Sequence, residues 1–194
     1  MHAEPCCHIP DCQHSNLRKY IDKFVISFLM PTRGGNIHTM SSEPKESNRQ
    51  IGQAFRKWIT SGALGISPVP MAEFVASKEN AILLSGDYDA KEFAQNYLGY
   101  KGDKGLDLIA RFNGKYVIGE AKFLTDFGGH QNSQFNDAEA LLGEASFENV
   151  IKIAILDGVC YLASKNKMYR QLEYKFCEKN ILSFLLLRDF LYSL

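Results

Sequence analysis

Leu106-Asp107-Leu108-Ile109-Ala110-Arg111-Phe112-Asn113-Gly114-Lys115-Tyr116-Val117-Ile118-Gly119-Glu120-Ala121-Lys122 carries the clearest architectural signal in the chain. Two strand-like runs flank Asn113-Gly114. That dipeptide is the strongest short-range hairpin signal, because both central residues of a type I′ turn need positive φ. A two-residue loop fixes the register by counting. Phe112 pairs with Lys115, Arg111 with Tyr116, Ala110 with Val117, Ile109 with Ile118 and Leu108 with Gly119. One step further, Asp107 faces Glu120, and their Cβ atoms are expected roughly 4.5–5.5 Å apart on one face of the sheet. Lys122 lies two residues beyond Glu120 and projects from that same face.

Facing carboxylates repel unless a counter-ion stands between them. A hard divalent cation such as Mg²⁺ prefers such oxygens, and Lys122 beside it could hold or deprotonate a water. A solvated surface trio is the plain alternative. Two features argue against it. Val117-Ile118-Gly119 makes the strand apolar up to Glu120, and Gly119 leaves room beside Glu120 for a ligand or a backbone.

On the N-terminal side, Pro44 suits the first turn of a helix, which is expected over 45–60 with Ile51, Phe55, Trp58 and Ile59 inward. A second helix, over 17–30, is expected to end at Pro31, with a loop over 32–43. Residues 71–77 read as a short helix or edge element, and Ile82-Leu83-Leu84 as a short strand or helix. Residues 87–97 read as a helix with Phe93 and Tyr97 inward. On the C-terminal side, Val150 to Leu156 is a buried strand ended by Asp157-Gly158, with a shorter strand expected over 159–163. Helices are expected over 166–179 and 181–192. The apolar set Leu182, Phe184, Leu185, Leu186, Leu187, Phe190 and Leu191 exceeds one helical stripe, so it reads as core with a share in a dimer face. Strands interspersed with helices make an α/β or α+β layered domain.

Composition narrows the classes. The 194 residues suit one domain. With 22 Lys+Arg against 22 Asp+Glu, the formal net charge is zero, which argues against a passive nucleic-acid coat. A locally basic cleft stays possible. No run approaches the ~20 apolar residues of a membrane span. The five cysteines are unevenly spaced and no export signal is evident, so a reducing, cytoplasmic location is expected. Cys6, Cys7, His8, Cys12 and His14 have the atoms for zinc but lack the second pair of a typical finger, and read as a non-specific tail.

Asp107, twelve intervening residues and then Glu120-Ala121-Lys122 resemble the D…(D/E)-x-K signature of the PD-(D/E)xK nuclease superfamily. The words Asp103-Lys104-Gly105-Leu106-Asp107 and Gly119-Glu120-Ala121-Lys122-Phe123 resemble type II restriction endonucleases in particular. Leu106 stands where that pattern often has proline. The resemblance spans about Lys45 to Leu156. It implies a restriction-endonuclease-like α/β core with a mixed central sheet flanked by helices. Its domain reading is an N-terminal arm and helix over 1–44 and the endonuclease core over 45–194. It implies Mg²⁺ held by Asp107, Glu120 and the Ala121 carbonyl, with Lys122 orienting or activating the attacking water and Glu46 reaching the metal from its helix.

The expected substrate is double-stranded DNA, cut at a short specific site to leave 5′-phosphate ends. A homodimer would match a symmetric site, and a DNA methyltransferase would protect it. Arg49, Lys101 and Lys104 are candidates for phosphate contacts, the last two in a loop whose glycines allow close approach. His130, Gln131, Asn132 and Gln134 follow the active strand; amides read adenine in the major groove, although Asn132 also suits a helix cap. The competing readings are a junction resolvase or repair nuclease, and a catalytically silent DNA-binding protein of the same fold.

Overall fold

A computed structural model describes residues 44–143, 147–162, 165–176 and 179–194, with the backbone alone over 44–51. The helix expected over 17–30, the loop after it and the Cys/His-rich start lie outside the described residues. Pro44 opens α1 (Pro44–Thr60) as its sequence predicts. There follow β1 (Val69–Pro70), α2 (Met71–Ala76), β2 (Ala81–Leu84), α3 (Asp87–Tyr97), β3 (Leu108–Phe112) and β4 (Lys115–Leu124). The chain continues through α4 (Gly129–Gly143), β5 (Val150–Gly158), α5 (Lys167–Tyr174), β6 (Ile181–Leu182) and α6 (Phe184–Tyr192).

The described strands form one mixed sheet in the order β1-β2-β3-β4-β5-β6. β2–β3 and β3–β4 are antiparallel, while β1–β2, β4–β5 and β5–β6 are parallel. The β3–β4 hairpin has the counted register from Phe112↔Lys115 to Leu108↔Gly119. Its turn is built on positive φ at Asn113 (49°) and Gly114 (78°). β4 is the long central strand. It pairs with β5 from Tyr116↔Val150 to Leu124↔Gly158, and α4 supplies the crossover that a parallel pair requires.

Helices cover both faces of the sheet. On one, Leu108, Ala110, Val117, Ile153 and Ile155 pack with Ile59 of α1 and with Leu187 and Leu191 of α6. On the other, Ile109 and Ile118 pack with Phe93 and Ala94 of α3. Leu124, Ala154 and Leu156 pack with Phe135 and Ala138 of α4. Alternation along β4 therefore assigns Glu120 and Lys122 to the α3/α4 face and Ala121 to the α1/α6 face.

Several local expectations are corrected. Tyr97 is 68% exposed; of the two aromatics expected inward on α3, Phe93 is buried and Tyr97 is not. Residues 159–161 form a 3₁₀ turn instead of a strand, because Gly158 at φ 94° turns the chain out of the sheet. The expected helix over 181–192 begins instead as β6, which pairs with Ala154 and Ile155, and turns helical only after Ser183 caps α6. The helix expected over 166–179 is shorter, with Asn166 as its N-cap. The C-terminal apolar set is mainly core: Leu182, Leu187 and Leu191 are buried.

Candidate active site

The hairpin places the three residues of the motif at one end of the sheet. Asp107 stands just before β3, and its N–H donates to the Gly119 carbonyl at 3.0 Å, extending the ladder by one step. Its Oδ2 accepts from the Ala121 N–H at 2.8 Å. The Asp107 carboxylate is thus fixed on the backbone between Glu120 and Lys122. Glu120 is buried, and its Oε1 lies 2.7 Å from Nζ of Lys122. A buried carboxylate needs such a partner, because desolvation of an unpaired charge is costly.

A cleft of about 510 Å³ opens beside this group. Its polar lining is Asp107, Lys122, Gln134 and Asp157, and its apolar wall includes Phe55, Trp58, Phe123 and Phe184. Phe184 meets Trp58 edge-on at 5.5 Å between ring centroids, which joins α6 to α1 across the cleft. Glu46 and Arg49 lie on α1, upstream of this wall, but their side chains are outside those described. Among the described residues no cluster of three or more His, Cys, Asp and Glu forms. Asp107 and Glu120 are a pair, a donor set that fits a hard cation completed by backbone oxygen and water.

Gly119 does not open space for a ligand as its sequence position suggests. A Cβ there would come within 2.8 Å of Ile153 Cγ1, so this glycine admits β5 core packing. The loop before Asp107 is likewise occupied by protein. A Cβ on Gly102 would collide with the Tyr100 ring, and one on Gly105 would crowd Asp87. Gln95 Nε2 donates to the Gly102 carbonyl at 2.9 Å and Tyr100 Oη to the Lys104 carbonyl at 3.0 Å. These glycines seat the loop on α3. Lys101 is exposed, while Lys104 is paired with Asp137 of α4 at 2.6 Å.

The amide run splits in three. Gln131 is 1% exposed, and its Nε2 donates to Thr125 Oγ1 at 3.0 Å, so burial takes it away from any DNA surface. Asn132 Nδ2 donates to the carbonyls of Phe127 and Gly128, each at 3.1 Å. Gln134 lines the cleft and contacts the exposed His130.

Asp157 is a cleft residue that sequence patterning marks only as a strand end. Its Oδ1 accepts from Ser183 Oγ at 2.6 Å and its Oδ2 from the Phe184 N–H at 2.9 Å. Burial raises its pKa to about 7, against the lowering effect of those two hydrogen bonds. The available signal was an Asp directly after the apolar run Val150–Leu156. Cys160 nearby is fully buried; desolvation, with Asp157's charge adding to it, pushes its thiol well up, so it is no nucleophile.

A mixed six-stranded sheet between two helical layers, with two carboxylates and a lysine gathered at the mouth of its central hairpin, defines a restriction-endonuclease-like α/β protein. The family model described as Tsp45I type II restriction enzyme matches residues 29–194. The chain therefore belongs to the Tsp45I type II restriction enzyme family, and is a restriction endonuclease with double-stranded DNA as its partner. No curated protein and no solved structure matches it. Among the described residues no helix is long and apolar enough to cross a membrane.

Proposed function

We propose that this chain is a Mg²⁺-dependent endonuclease of the PD-(D/E)xK kind. It cuts both strands of a short specific DNA site and leaves 5′-phosphate and 3′-hydroxyl ends. The observation that carries this reading is the hairpin register, which sets Asp107 against Glu120 with Lys122 2.7 Å from the glutamate. Asp107, Glu120 and the Ala121 carbonyl would hold the cation, with Glu46 approaching from α1. When bound, Mg²⁺ would polarise the scissile phosphate and favour the ionised form of the attacking water.

The chain's own residues do the rest. The Ala121 N–H holds the Asp107 carboxylate in a fixed direction. Lys122 orients the attacking water and stabilises the negative charge that develops on the phosphoryl oxygens as the water oxygen bonds to phosphorus. Water oxygen bonds to phosphorus, the bond to the 3′-oxygen breaks, and that oxygen leaves as the 3′-hydroxyl after taking a proton. Arg49, Lys101 and Lys104 supply phosphate contacts, Lys104 by exchanging Asp137 for DNA. The helix after the active strand, with His130, Asn132 and Gln134 near its start, lies toward the duplex.

The catalytic core is residues 45–194. Two copies act as a homodimer on a symmetric site in the cytoplasm, where a methyltransferase of the same system protects host DNA. Membership of the restriction family favours this over a structure-directed nuclease. The test is digestion of unmethylated phage DNA with Mg²⁺, beside Asp107→Ala, Lys122→Ala and an EDTA control. Discrete fragments that vanish in all three controls are expected. A smear would favour a non-specific nuclease. No cutting by folded protein would leave the DNA-binding reading.

A further inference from the structure

His130, Gln134 and Asp137 follow one another at spacings of four and three residues, so they share one face of α4. That face looks toward the loop before Asp107, because Asp137 pairs with Lys104 at 2.6 Å. Gln134 itself lines the cleft that Asp107 and Lys122 border. Gln131 and Asn132 spend amide protons on Thr125 and on the carbonyls of Phe127 and Gly128, respectively, and Gln131 is buried as well. Gln134 differs. Among the described residues its side chain bonds only His130, at 3.3 Å between Nε2 atoms. An amide nitrogen donates, and His130 Nε2 accepts from it in the tautomer that carries the ring proton on Nδ1.

We infer that Gln134 reads an adenine of the recognition site next to the scissile phosphate, and that His130 is the positioning residue that orients its amide. The inference rests on the endonuclease reading above and names its specificity residue. The amide nitrogen carries two protons. With one given to His130, the second and the Oε1 form the donor–acceptor pair that matches adenine N7 and N6–H₂ in the major groove. Without the imidazole acceptor the amide rotates freely, and half of its orientations present the wrong edge.

The experiment begins with the site found by sequencing fragment ends. Duplexes then carry 7-deazaadenine, which lacks the N7 acceptor, at each adenine in turn. They are cut under single-turnover conditions by the native enzyme, Gln134→Ala, Gln134→Glu and His130→Ala. At one adenine the analogue should slow the native enzyme by about 5- to 150-fold and slow Gln134→Ala no further. Gln134→Glu keeps the size and loses the donors, so it should match Gln134→Ala. His130→Ala should lower discrimination at that same base pair and add nothing in the double variant with Gln134→Ala. A purely structural histidine would lower the rate on every duplex alike, and that result would overturn its orienting role. Equal analogue effects in native and Gln134→Ala enzyme at every adenine, or a site without adenine, would overturn the inference while leaving the endonuclease reading standing. A native enzyme giving no discrete fragments would sink that reading first, and this inference with it.

Discussion

Glu120 at the mouth of the β3–β4 hairpin and Asp157 at the end of β5 are both buried carboxylates beside one cleft, yet they are compensated differently. Glu120 has a cation, Lys122, 2.7 Å away. Asp157 has, among the described residues, only a hydroxyl and a backbone N–H, and its pKa rises to about 7. A charge answered by a charge can be shared with an incoming metal. A carboxyl answered by dipoles ties two elements together, here β5 to the first turn of α6. Burial of an acid beside a cleft therefore does not by itself mark a catalytic group; the partner decides the role.

The largest effect that would sharpen this contrast is on catalysis. Asp107→Ala, Glu120→Gln and Lys122→Ala are each expected to slow cleavage at least about 10³-fold, within the range for losing a positioned acid–base or metal-binding group. Circular dichroism should show each still folded. Metal addition is next. Saturating Mg²⁺ should raise the unfolding midpoint of the native protein, by about 2.7 kcal/mol of stability at a hundredfold excess over Kd. It should leave Asp107→Ala unmoved, and an equal shift in that variant would break the assignment.

How much of this contrast is legible in the sequence follows from the range of the interactions. Asn113-Gly114 and two flanking apolar runs determine the hairpin locally, so the register and the meeting of Asp107, Glu120 and Lys122 follow from counting residues away from the turn. The helix at Pro44 and the buried strand at Val150 are legible for the same reason. Asp157 is not, because its partners Ser183 and Phe184 lie more than twenty residues away and meet it only when β6 joins the sheet. Gly119 and Gly102 mislead because the side chains filling their space, Ile153 and Tyr100, are brought there by tertiary packing. In Gln131, Asn132 and Gln134 the sequence shows three amides close together, and burial of the first and the bonds of the second to the Phe127 and Gly128 carbonyls are what separate them from the third.

Asp157 gives a prediction with a sign. Its folded pKa, about 7, lies above the ordinary 3.8, so the folded state binds the proton more tightly than the unfolded state. Its contribution to stability is full below pH ~4 and is lost as pH rises toward ~7, by up to about 1.4 kcal/mol per pH unit. Urea unfolding of the native protein should show this decline relative to Asp157→Asn, whose amide can donate to Ser183 and accept from the Phe184 N–H. Parallel pH profiles of the two would contradict the assignment. Ser183→Ala removes the hydroxyl that caps α6 and bonds Asp157, and should cost about 1–2 kcal/mol in the same assay. The smallest effect is expected from Lys104→Ala, whose partner Asp137 is also partly exposed: under about 0.5 kcal/mol in stability, with weaker DNA binding at low salt.

The decisive measurement sets the two carboxylates side by side: single-turnover cleavage of one defined duplex by Glu120→Gln and Asp157→Asn, both shown to be folded. Glu120→Gln is expected to fall at least about 10³-fold while Asp157→Asn stays within about tenfold of the native rate. Near-native cutting by Glu120→Gln, or a collapse confined to Asp157→Asn, would contradict the division of roles between them.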